Sequence, residues 1–150
     1  MVRKQWSKSD IKEFIKNNQI AVSLMDKKSN VFEDNNILFI DQKPFFFRVE
    51  NGGWIPTIRL LLEHQDLLPK VFVDKGAIRF VVKGADIMRP GVTACEDFQK
   101  DDFVVVVDEA YSKPLAIAKA IYDSKITKEM EEGKVFFNVH HIGDNIWNSV

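Results

Sequence analysis

Apolar residues repeat with a helical period near the start of the chain. Ile11, Phe14 and Ile15 recur at spacings of three and four residues, which places them on one face of a helix. Asp10 and Glu13 have the spacing of a capping box, in which side chain and backbone satisfy each other at a helix start. We therefore expect a first helix that begins near Asp10 and buries one face.

Short apolar runs alternate with polar turns over residues 20–54. The turns read KKSN, EDNN, DQKP and ENGG, and the last of them contains Asn51-Gly52, a dipeptide favoured in tight β-hairpins. This alternation predicts an antiparallel meander.

A helix is predicted to follow the meander. Pro56 suits the first turn of a helix, because proline has no N–H to leave unsatisfied there. Three residues share one face of this helix: Ile58, Leu61 and Leu62. Pro69 closes the unit, so we place a domain boundary there, between residues 1–69 and residues 70–150. No long linker marks that boundary, and we expect the two halves to pack closely.

The second half of the chain is expected to be rich in β-strands. KVFVD and FVVVV have the β-branched content of strands. Over residues 115–122, larger side chains alternate with a mostly alanine set, which favours another strand, although the alanines leave a helix open. The larger set is Leu115, Ile117, Lys119 and Ile121, and the other is Ala116, Ala118, Ala120 and Tyr122. A short helical turn over residues 127–132, stopped by Gly133, is predicted to precede a last strand within residues 134–140.

Composition narrows the class of protein. The chain has 150 residues and a net charge of −1, so it lacks the overall basic charge of a nonspecific nucleic-acid binder. Cys95 is the only cysteine, which excludes an intrachain disulfide and a cysteine-rich zinc site. The N-terminus lacks the apolar core of a secretion signal, and no apolar run approaches the roughly 20 residues of a membrane helix. We expect a cytoplasmic protein with no membrane partner.

A local cationic stripe is predicted on a helix over residues 75–83, with Asp74 as its cap and Gly84 as its C-terminal stop. On a helical wheel, one side carries three cations: Lys75, Arg79 and Lys83. The opposite side carries four apolar residues: Ala77, Ile78, Phe80 and Val81. Like charges four residues apart repel, and an anionic partner would offset that cost. The alternative is that these cations lie on an ordinary solvated face.

A tight turn is predicted directly after this helix. The sequence Arg89-Pro90-Gly91-Val92 fits a type II turn, which takes proline second and a glycine with positive φ third. Such a turn exposes backbone N–H groups beside the cationic stripe, an arrangement suited to phosphate. The alternative is that Gly84 only ends the helix and Gly91 only makes the turn.

Several stretches together resemble a known family. VFVDKGAIRFVVKGADIMRPGV, FVVVVDE, PLAIAKA and the terminal HHIGDNIW are similar to the PUA domain, the RNA-binding module named after pseudouridine synthases and archaeosine transglycosylases. Upstream, WIPTIRLLLEH extends the resemblance to the malignant T-cell-amplified-sequence family of translation proteins and its archaeal relatives. The resemblance implies an α+β fold, in which a small N-terminal α+β domain packs on a C-terminal PUA β pseudo-barrel with short helices.

The resemblance also implies a site. RNA would lie in a groove beside the first helix of the PUA domain and the glycine-containing loop after it. Carried over to this sequence, the groove would be lined by Lys75, Arg79, Lys83, Gly84, Ala85, Asp86, Met88, Arg89, Pro90, Gly91 and Val92. Trp147 fits the end of the domain, where we expect it in the core.

The implied function is non-catalytic binding of structured RNA, either transfer RNA or ribosomal RNA, mainly through backbone phosphates and shape. Eukaryotic members of the family act on initiator transfer RNA and the small ribosomal subunit with a zinc-containing partner, so that subunit and a protein partner in translation are candidates here. Two alternatives stay open. One is an accessory subunit that presents RNA to a modification enzyme. The other is a protein–protein adaptor that uses the cations of the N-terminal domain: Arg3, Lys4, Lys8, Lys12 and Lys16.

No catalytic, metal or cofactor site is predicted. His140 and His141 are adjacent on a predicted strand and point to opposite faces, and neither they nor His64 have a carboxylate or cysteine at ligand spacing. The sequence contains no nucleophile elbow, P-loop or dinucleotide-binding fingerprint. Cys95 has no identifiable activating partner.

Overall fold

The computed structural model describes residues 3–50 and 53–150. The chain forms two compact units, one extending to Pro56 together with residues 149–150, and the other running from Thr57 to Asn148. Each unit contains one β-sheet and short helices, so the mixed α+β class predicted from the sequence is confirmed. Within the described residues, no helix is long and apolar enough to cross a membrane.

In its described residues, the first unit is an antiparallel meander with two helices. Its strands are β1 (Lys4–Gln5), β2 (Val31–Asp34), β3 (Ile37–Ile40), β4 (Lys43–Arg48) and β5 (Trp54–Pro56), and its helices are α1 (Lys8–Asn17) and α2 (Ala21–Leu24). The strands pair in chain order. Asn35 and Asn36 have left-handed φ angles of 51° and 63°, which suit the tight turn between β2 and β3. The predicted meander is confirmed from β2 onward, but residues 21–24, which the sequence placed in the meander, form the helix α2 instead. Asn51-Gly52 lies outside the described residues.

The first helix begins earlier than predicted, because a different residue caps it. The Ser7 hydroxyl accepts a hydrogen bond from the Asp10 N–H at 3.1 Å, and the Asp10 carboxylate accepts one from the Ser7 N–H at 2.9 Å. This reciprocal pair is the capping box, so the predicted pairing of Asp10 with Glu13 was wrong. Ile11 and Phe14 are buried, as expected for one apolar face.

The second unit, all of whose residues are described, is a six-stranded sheet with three helices. Its elements are α3 (Ile58–Glu63), β6 (Lys70–Val73), α4 (Lys75–Val81), β7 (Ile87–Met88), a single 3-10 turn (Arg89–Gly91), β8 (Val92–Cys95), β9 (Phe103–Asp108), β10 (Pro114–Ala120), α5 (Ser124–Glu129) and β11 (Lys134–His141). The strand order is β7-β11-β10-β9-β6-β8. Strands β6 and β9 are parallel, and every other pair is antiparallel.

The core of this unit is built from valines of β9 and alanines of β10. Val104, Val106, Ala116 and Ala118 are completely buried. Small alanine side chains leave room for the neighbouring elements to approach β10 closely. The alternating segment forms the strand β10 as far as Ala120, and Ile121 and Tyr122 lie beyond its end, so the helical alternative is excluded.

Thr57, rather than Pro56, starts the helix α3. Pro56 is the last residue of β5, and the Thr57 hydroxyl accepts a hydrogen bond from the Leu60 N–H at 3.3 Å. The buried face of α3 consists of Ile58, Leu60 and Leu61, whereas Leu62 is 49% exposed. The predicted buried face was therefore correct at its other two positions and wrong at Leu62.

The helix α5 also begins earlier than predicted, at Ser124 instead of Thr127. The Asp123 carboxylate caps it by accepting a hydrogen bond from the Ile126 N–H at 2.8 Å. The helix ends at Glu129 with Met130 as its C-cap, so the prediction that Gly133 stops it was wrong. Gly133 instead takes a left-handed φ of 95° in the turn that leads into β11.

The C-terminal residues hold α3 within the second unit. The Ile58 N–H donates to Nε2 of buried His140 at 3.2 Å. The Arg59 guanidinium lies 3.9 Å over the Trp147 ring and donates to the Trp147 carbonyl at 2.8 Å. These contacts explain why the compact unit starts at Thr57, well before Pro69. A domain boundary after Pro69 remains a prediction.

Asp144 organises this C-terminal cluster. Burial alone would raise its pKa, but hydrogen bonds from the His140 ring and from the Trp147 and His141 N–H groups together lower the pKa of Asp144 to about 2. The proton on the His140 ring sits on Nδ1, because Nε2 accepts from a backbone N–H. The pairing of His140 with Asp144 was not predicted, and it gives this histidine a structural role. Trp147 is only partly buried.

Candidate nucleic-acid interface

The helix α4 is fixed at both ends by residues that the sequence identified. Asp74 is its N-cap, and the Asp74 carboxylate accepts a hydrogen bond from the Ala77 N–H at 2.9 Å. The helix ends at Val81, and Gly84 then takes a left-handed φ of 93°. Lys83, predicted inside the helix, therefore lies in the turn that follows it.

Three exposed cations follow the outer side of α4 and its terminal turn: Lys75, Arg79 and Lys83. We call them the cation row. In the part of the chain that the structure describes, no carboxylate lies within salt-bridge distance of any of them. Lys70, which carries positive charge in the same stretch of sequence, instead pairs with Asp66 at 3.0 Å. The cation row thus combines like charges without an internal counter-ion.

Phe80 does not face the core, contrary to the prediction from the helical wheel. Its side chain is 53% exposed, whereas Val81 is buried and Ala77 and Ile78 pack against the core. On the wheel, Phe80 falls between these core-facing residues and the cations. The Arg79 guanidinium lies 4.8 Å from the centre of the Phe80 ring, so the ring borders the cation row.

An open groove of about 630 Å³ lies between α4 and the segment that carries β7 and the 3-10 turn. We call it the α4 groove. Its apolar lining includes Ala77, Phe80, Ile87, Met88 and Pro90. Met88 is 49% exposed, so the groove presents apolar surface to solvent directly beside the cation row.

Asp86 and Lys134 supply a paired charge to the lining of the groove. The Asp86 carboxylate lies 2.9 Å from the Lys134 ammonium and accepts a hydrogen bond from the Asn138 N–H at 2.9 Å. Burial raises the pKa of Asp86, but the contacts with Lys134 and Asn138 outweigh it, and the pKa is lowered. The Asn138 side-chain amide donates to the Val81 and Ala85 carbonyls at 3.0 Å each, which ties the end of α4 to β11.

Gly91 is needed for close packing and not for a left-handed backbone. The segment Arg89–Gly91 is a 3-10 turn, and Gly91 is not among the residues with positive φ, so the predicted type II turn is wrong. A Cβ at Gly91 would lie 3.0 Å from the Ala77 Cβ. The Gly91 carbonyl accepts a hydrogen bond from the Asp74 N–H at 3.0 Å. The glycine therefore lets the turn pack against α4.

The Arg89 guanidinium is occupied inside the second unit. It donates to the Thr127 carbonyl at 2.7 Å, to the Val92 carbonyl at 2.9 Å and to the Lys128 carbonyl at 3.4 Å. The Thr127 and Lys128 carbonyls lie in the last turn of α5, where a cation is favourable. Arg89 therefore joins the 3-10 turn to α5 and does not line the α4 groove.

The predicted site residues are thus only partly brought together. Five of them line the α4 groove: Ala85, Asp86, Met88, Pro90 and Gly91. The cation row runs beside it, and Gly84 ends the turn after α4. Arg89 and Val92 lie elsewhere, since Val92 is buried in the core. Lys134 was missed because it reaches the groove through the pairing of β11 with β7, opposite Met88.

Comparison with known proteins agrees with this fold. A PUA domain profile matches residues 69–142. An uncharacterized protein of Methanocaldococcus jannaschii is 37% identical over 98% of this chain and 97% of that protein. Translation machinery-associated protein 20 of Schizosaccharomyces pombe is 34% identical over 88% of this chain and 78% of that protein. The crystal structure of a hypothetical protein from Pyrococcus horikoshii, 32% identical, matches with a TM-score of 0.80 over 99% of both chains.

The match to relatives over nearly their whole length extends the likeness beyond the PUA segment and into the first unit. The resemblance expected from the sequence motifs is therefore confirmed. The chain belongs to the PUA-domain family that includes translation machinery-associated protein 20 and the malignant T-cell-amplified sequence proteins.

Proposed function

We propose that this protein binds RNA in translation, without catalysis, and that the α4 groove and the cation row together form the contact surface. The PUA domain and the relatives named for the translation machinery support an RNA-binding, translation-associated role. The proposed ligand is a structured RNA, either transfer RNA or ribosomal RNA, met in the cytoplasm. The small ribosomal subunit and a protein partner in translation are the proposed context.

The observation that carries this proposal is a row of cations, without counter-ions among residues 3–50 and 53–150, beside an apolar groove. Exposed Lys75, Arg79 and Lys83 suit the phosphates of a nucleic-acid backbone. Phe80 and Met88, each about half exposed, offer the kind of surface on which unstacked bases lie. A duplex hides its bases from such a surface. The groove therefore suits unpaired nucleotides within a structured RNA better than contact through phosphates alone.

Each part of the surface has a proposed role. The cation row contacts phosphates. The residues proposed to contact bases are Phe80, Met88 and Pro90. The residues proposed to shape the groove are Gly84, Ala85, Asp86 and Gly91. Arg89 and Val92 are left out, because their side chains are occupied within the second unit.

Charge reversal in the cation row tests the proposal. We expect the double variant Arg79→Glu/Lys83→Glu to bind unfractionated transfer RNA at least tenfold more weakly than the wild type, as measured by fluorescence anisotropy. Lys12→Glu/Lys16→Glu on α1 is the matched control, because these lysines are also exposed, have the same spacing and undergo the same change of charge. The control variant should keep most of the affinity.

Two outcomes would contradict the proposal. No binding of transfer RNA or ribosomal RNA by the wild type would remove RNA as the ligand and favour the protein–protein adaptor. Equal losses in the two double variants would indicate a general charge effect instead of a contact at α4. Thermal melting of both variants should stay close to that of the wild type, since surface substitutions usually change stability by only about 0.5 kcal/mol.

A further inference from the structure

The tip of the hairpin between β9 and β10 presents an exposed aromatic side chain. Tyr111 is 84% exposed, more than any other large hydrophobic residue in the described parts of the chain. A single exposed aromatic residue needs no explanation by itself. The backbone around this one, however, is held in a single arrangement.

A buried carboxylate fixes the hairpin tip. Asp108 is 6% exposed, and its two oxygens accept hydrogen bonds from the Tyr111 and Lys113 N–H groups. The Ser112 N–H donates to the Asp108 carbonyl at 2.9 Å, and Ser112 has a left-handed φ of 55°. Left-handed backbone is unfavourable for a residue with a side chain, so the surrounding contacts impose it. The backbone of the tip therefore loses little further freedom when a partner binds the Tyr111 ring.

The hairpin adjoins the N-terminal end of α4. Strands β6 and β9 are parallel neighbours, with Val73 opposite Asp108. The Glu109 N–H donates to the Val73 carbonyl at 3.0 Å. Asp74, the next residue along the chain, caps α4 and lines the α4 groove. The tip of the hairpin therefore lies at the same end of the unit as Lys75.

We propose that Tyr111 is a second RNA contact, which stacks on an unpaired base of the RNA that lies along α4. The inference rests on the proposed function of the α4 groove. Lys75 and Lys113 near the tip attract phosphates and Glu109 repels them, so the ring is the dominant contact here. Aromatic rings accept bases of every type by stacking. RNA is favoured over a protein as the occupant because Glu109 in the hairpin bonds to Val73, the residue directly before Asp74, which caps α4 and lines the groove.

Substitutions at the tip test this contact by affinity for unfractionated transfer RNA. We expect Tyr111→Ala and Tyr111→Leu to bind about tenfold more weakly, the loss expected when one stacked base loses its ring. Tyr111→Phe keeps the ring and should bind within about twofold of the wild type. Glu109→Ala is the matched control in the same tip, because it keeps the ring and removes only a charge that repels phosphates, so its affinity should be no weaker than that of the wild type. None of these exposed positions should alter thermal melting.

Chemical protection gives a second readout. The chain has two tyrosines, and the other one, Tyr122, is partly buried against the core. Tetranitromethane should nitrate Tyr111 in the free protein, and saturating transfer RNA should slow that reaction. Mass spectrometry of the digested protein reports the two residues separately, so Tyr122 serves as the internal reference.

The outcomes separate this inference from the proposed function. Wild-type affinity for Tyr111→Ala, or nitration of Tyr111 unaffected by RNA, overturns the stacking contact, while loss of affinity in Arg79→Glu/Lys83→Glu would still support the groove. If that double variant binds transfer RNA as tightly as the wild type, the proposed RNA contact at the α4 groove is wrong, and the inference about Tyr111 loses its basis. A Tyr111→Phe protein as weak as Tyr111→Ala would show that the hydroxyl, and not the ring, makes the contact.

Discussion

Arg79 and Arg89 come from the same short stretch of sequence, yet their surroundings differ completely. The Arg89 guanidinium donates to three backbone carbonyls and joins the 3-10 turn to α5. The Arg79 guanidinium has no carboxylate partner in the described residues and lies beside the exposed Phe80 ring. Charge alone therefore does not identify a binding residue. The distinguishing property is hydrogen-bonding capacity that the fold leaves unused.

The same contrast separates two cation–aromatic pairs. Arg59 lies 3.9 Å over Trp147 and also donates to the Trp147 carbonyl, so that pair fastens α3 to the C-terminal segment. Arg79 lies 4.8 Å from Phe80, and no hydrogen bond within the described parts of the chain anchors its guanidinium in the same way. An exposed cation–aromatic contact contributes only about 0.5 to 1 kcal/mol. The open pair at α4 is therefore free to exchange its internal contact for one with a ligand.

The largest effect on stability is expected at Arg89. Arg89→Ala removes charge-assisted hydrogen bonds to carbonyls at the end of α5, and we expect the free energy of unfolding to fall by about 2 to 3 kcal/mol. The folded variant should bind transfer RNA as tightly as the wild type. Urea unfolding and fluorescence anisotropy measure the two quantities. If the Arg89→Ala protein is as stable as the wild type but binds RNA more weakly, then Arg89 contacts RNA and this explanation of its role is wrong.

A smaller loss is expected at Gly91. Gly91→Ala places a Cβ about 3.0 Å from the Ala77 Cβ, and overpacking of this kind costs about 1 to 3 kcal/mol. Ala77→Gly removes the opposing methyl group, so the double variant Gly91→Ala/Ala77→Gly should be more stable than the sum of the single losses predicts. A strained φ at Gly91 would not respond to a change at Ala77. Strictly additive losses in urea unfolding would therefore contradict the close-approach explanation.

The elements of the fold were largely predictable from local signals. Alternation identified the meander and the β10 strand, and Asp74 and Gly84 marked the start and the end of the α4 region. Errors arose where two local signals competed. Ser7 formed the capping box instead of Glu13, and Pro56 stayed in β5 because the neighbouring Thr57 could cap α3.

The candidate site was less predictable, because its geometry depends on contacts between distant segments. Strand register brings Lys134 opposite Met88, and no pattern within either segment reveals that pairing. The carbonyls that occupy Arg89 belong to α5, far along the chain. Gly91 fitted two explanations from the sequence, positive φ and close approach, and only the position of Ala77 separates them. The exposure of Phe80 was predicted wrongly, because Phe80 lies at the edge of the apolar side of the wheel, between the core-facing residues and the cations.

The smallest effect on stability is expected at Arg79. The contact of Arg79 with RNA is instead tested by the salt dependence of RNA binding. Arg79→Ala should change the free energy of unfolding by no more than about 1 kcal/mol, because the side chain is exposed and loses only its contact with the Phe80 ring. Each phosphate contact with single-stranded RNA contributes about −0.7 to the slope of log affinity against log salt, so three contacts give about −2. Arg79→Ala should make that slope less steep by about 0.7, whereas Arg89→Ala should leave it unchanged. Equal slopes for wild type and Arg79→Ala would mean that Arg79 does not contact a phosphate, and the difference between the two arginines would then have no bearing on RNA binding.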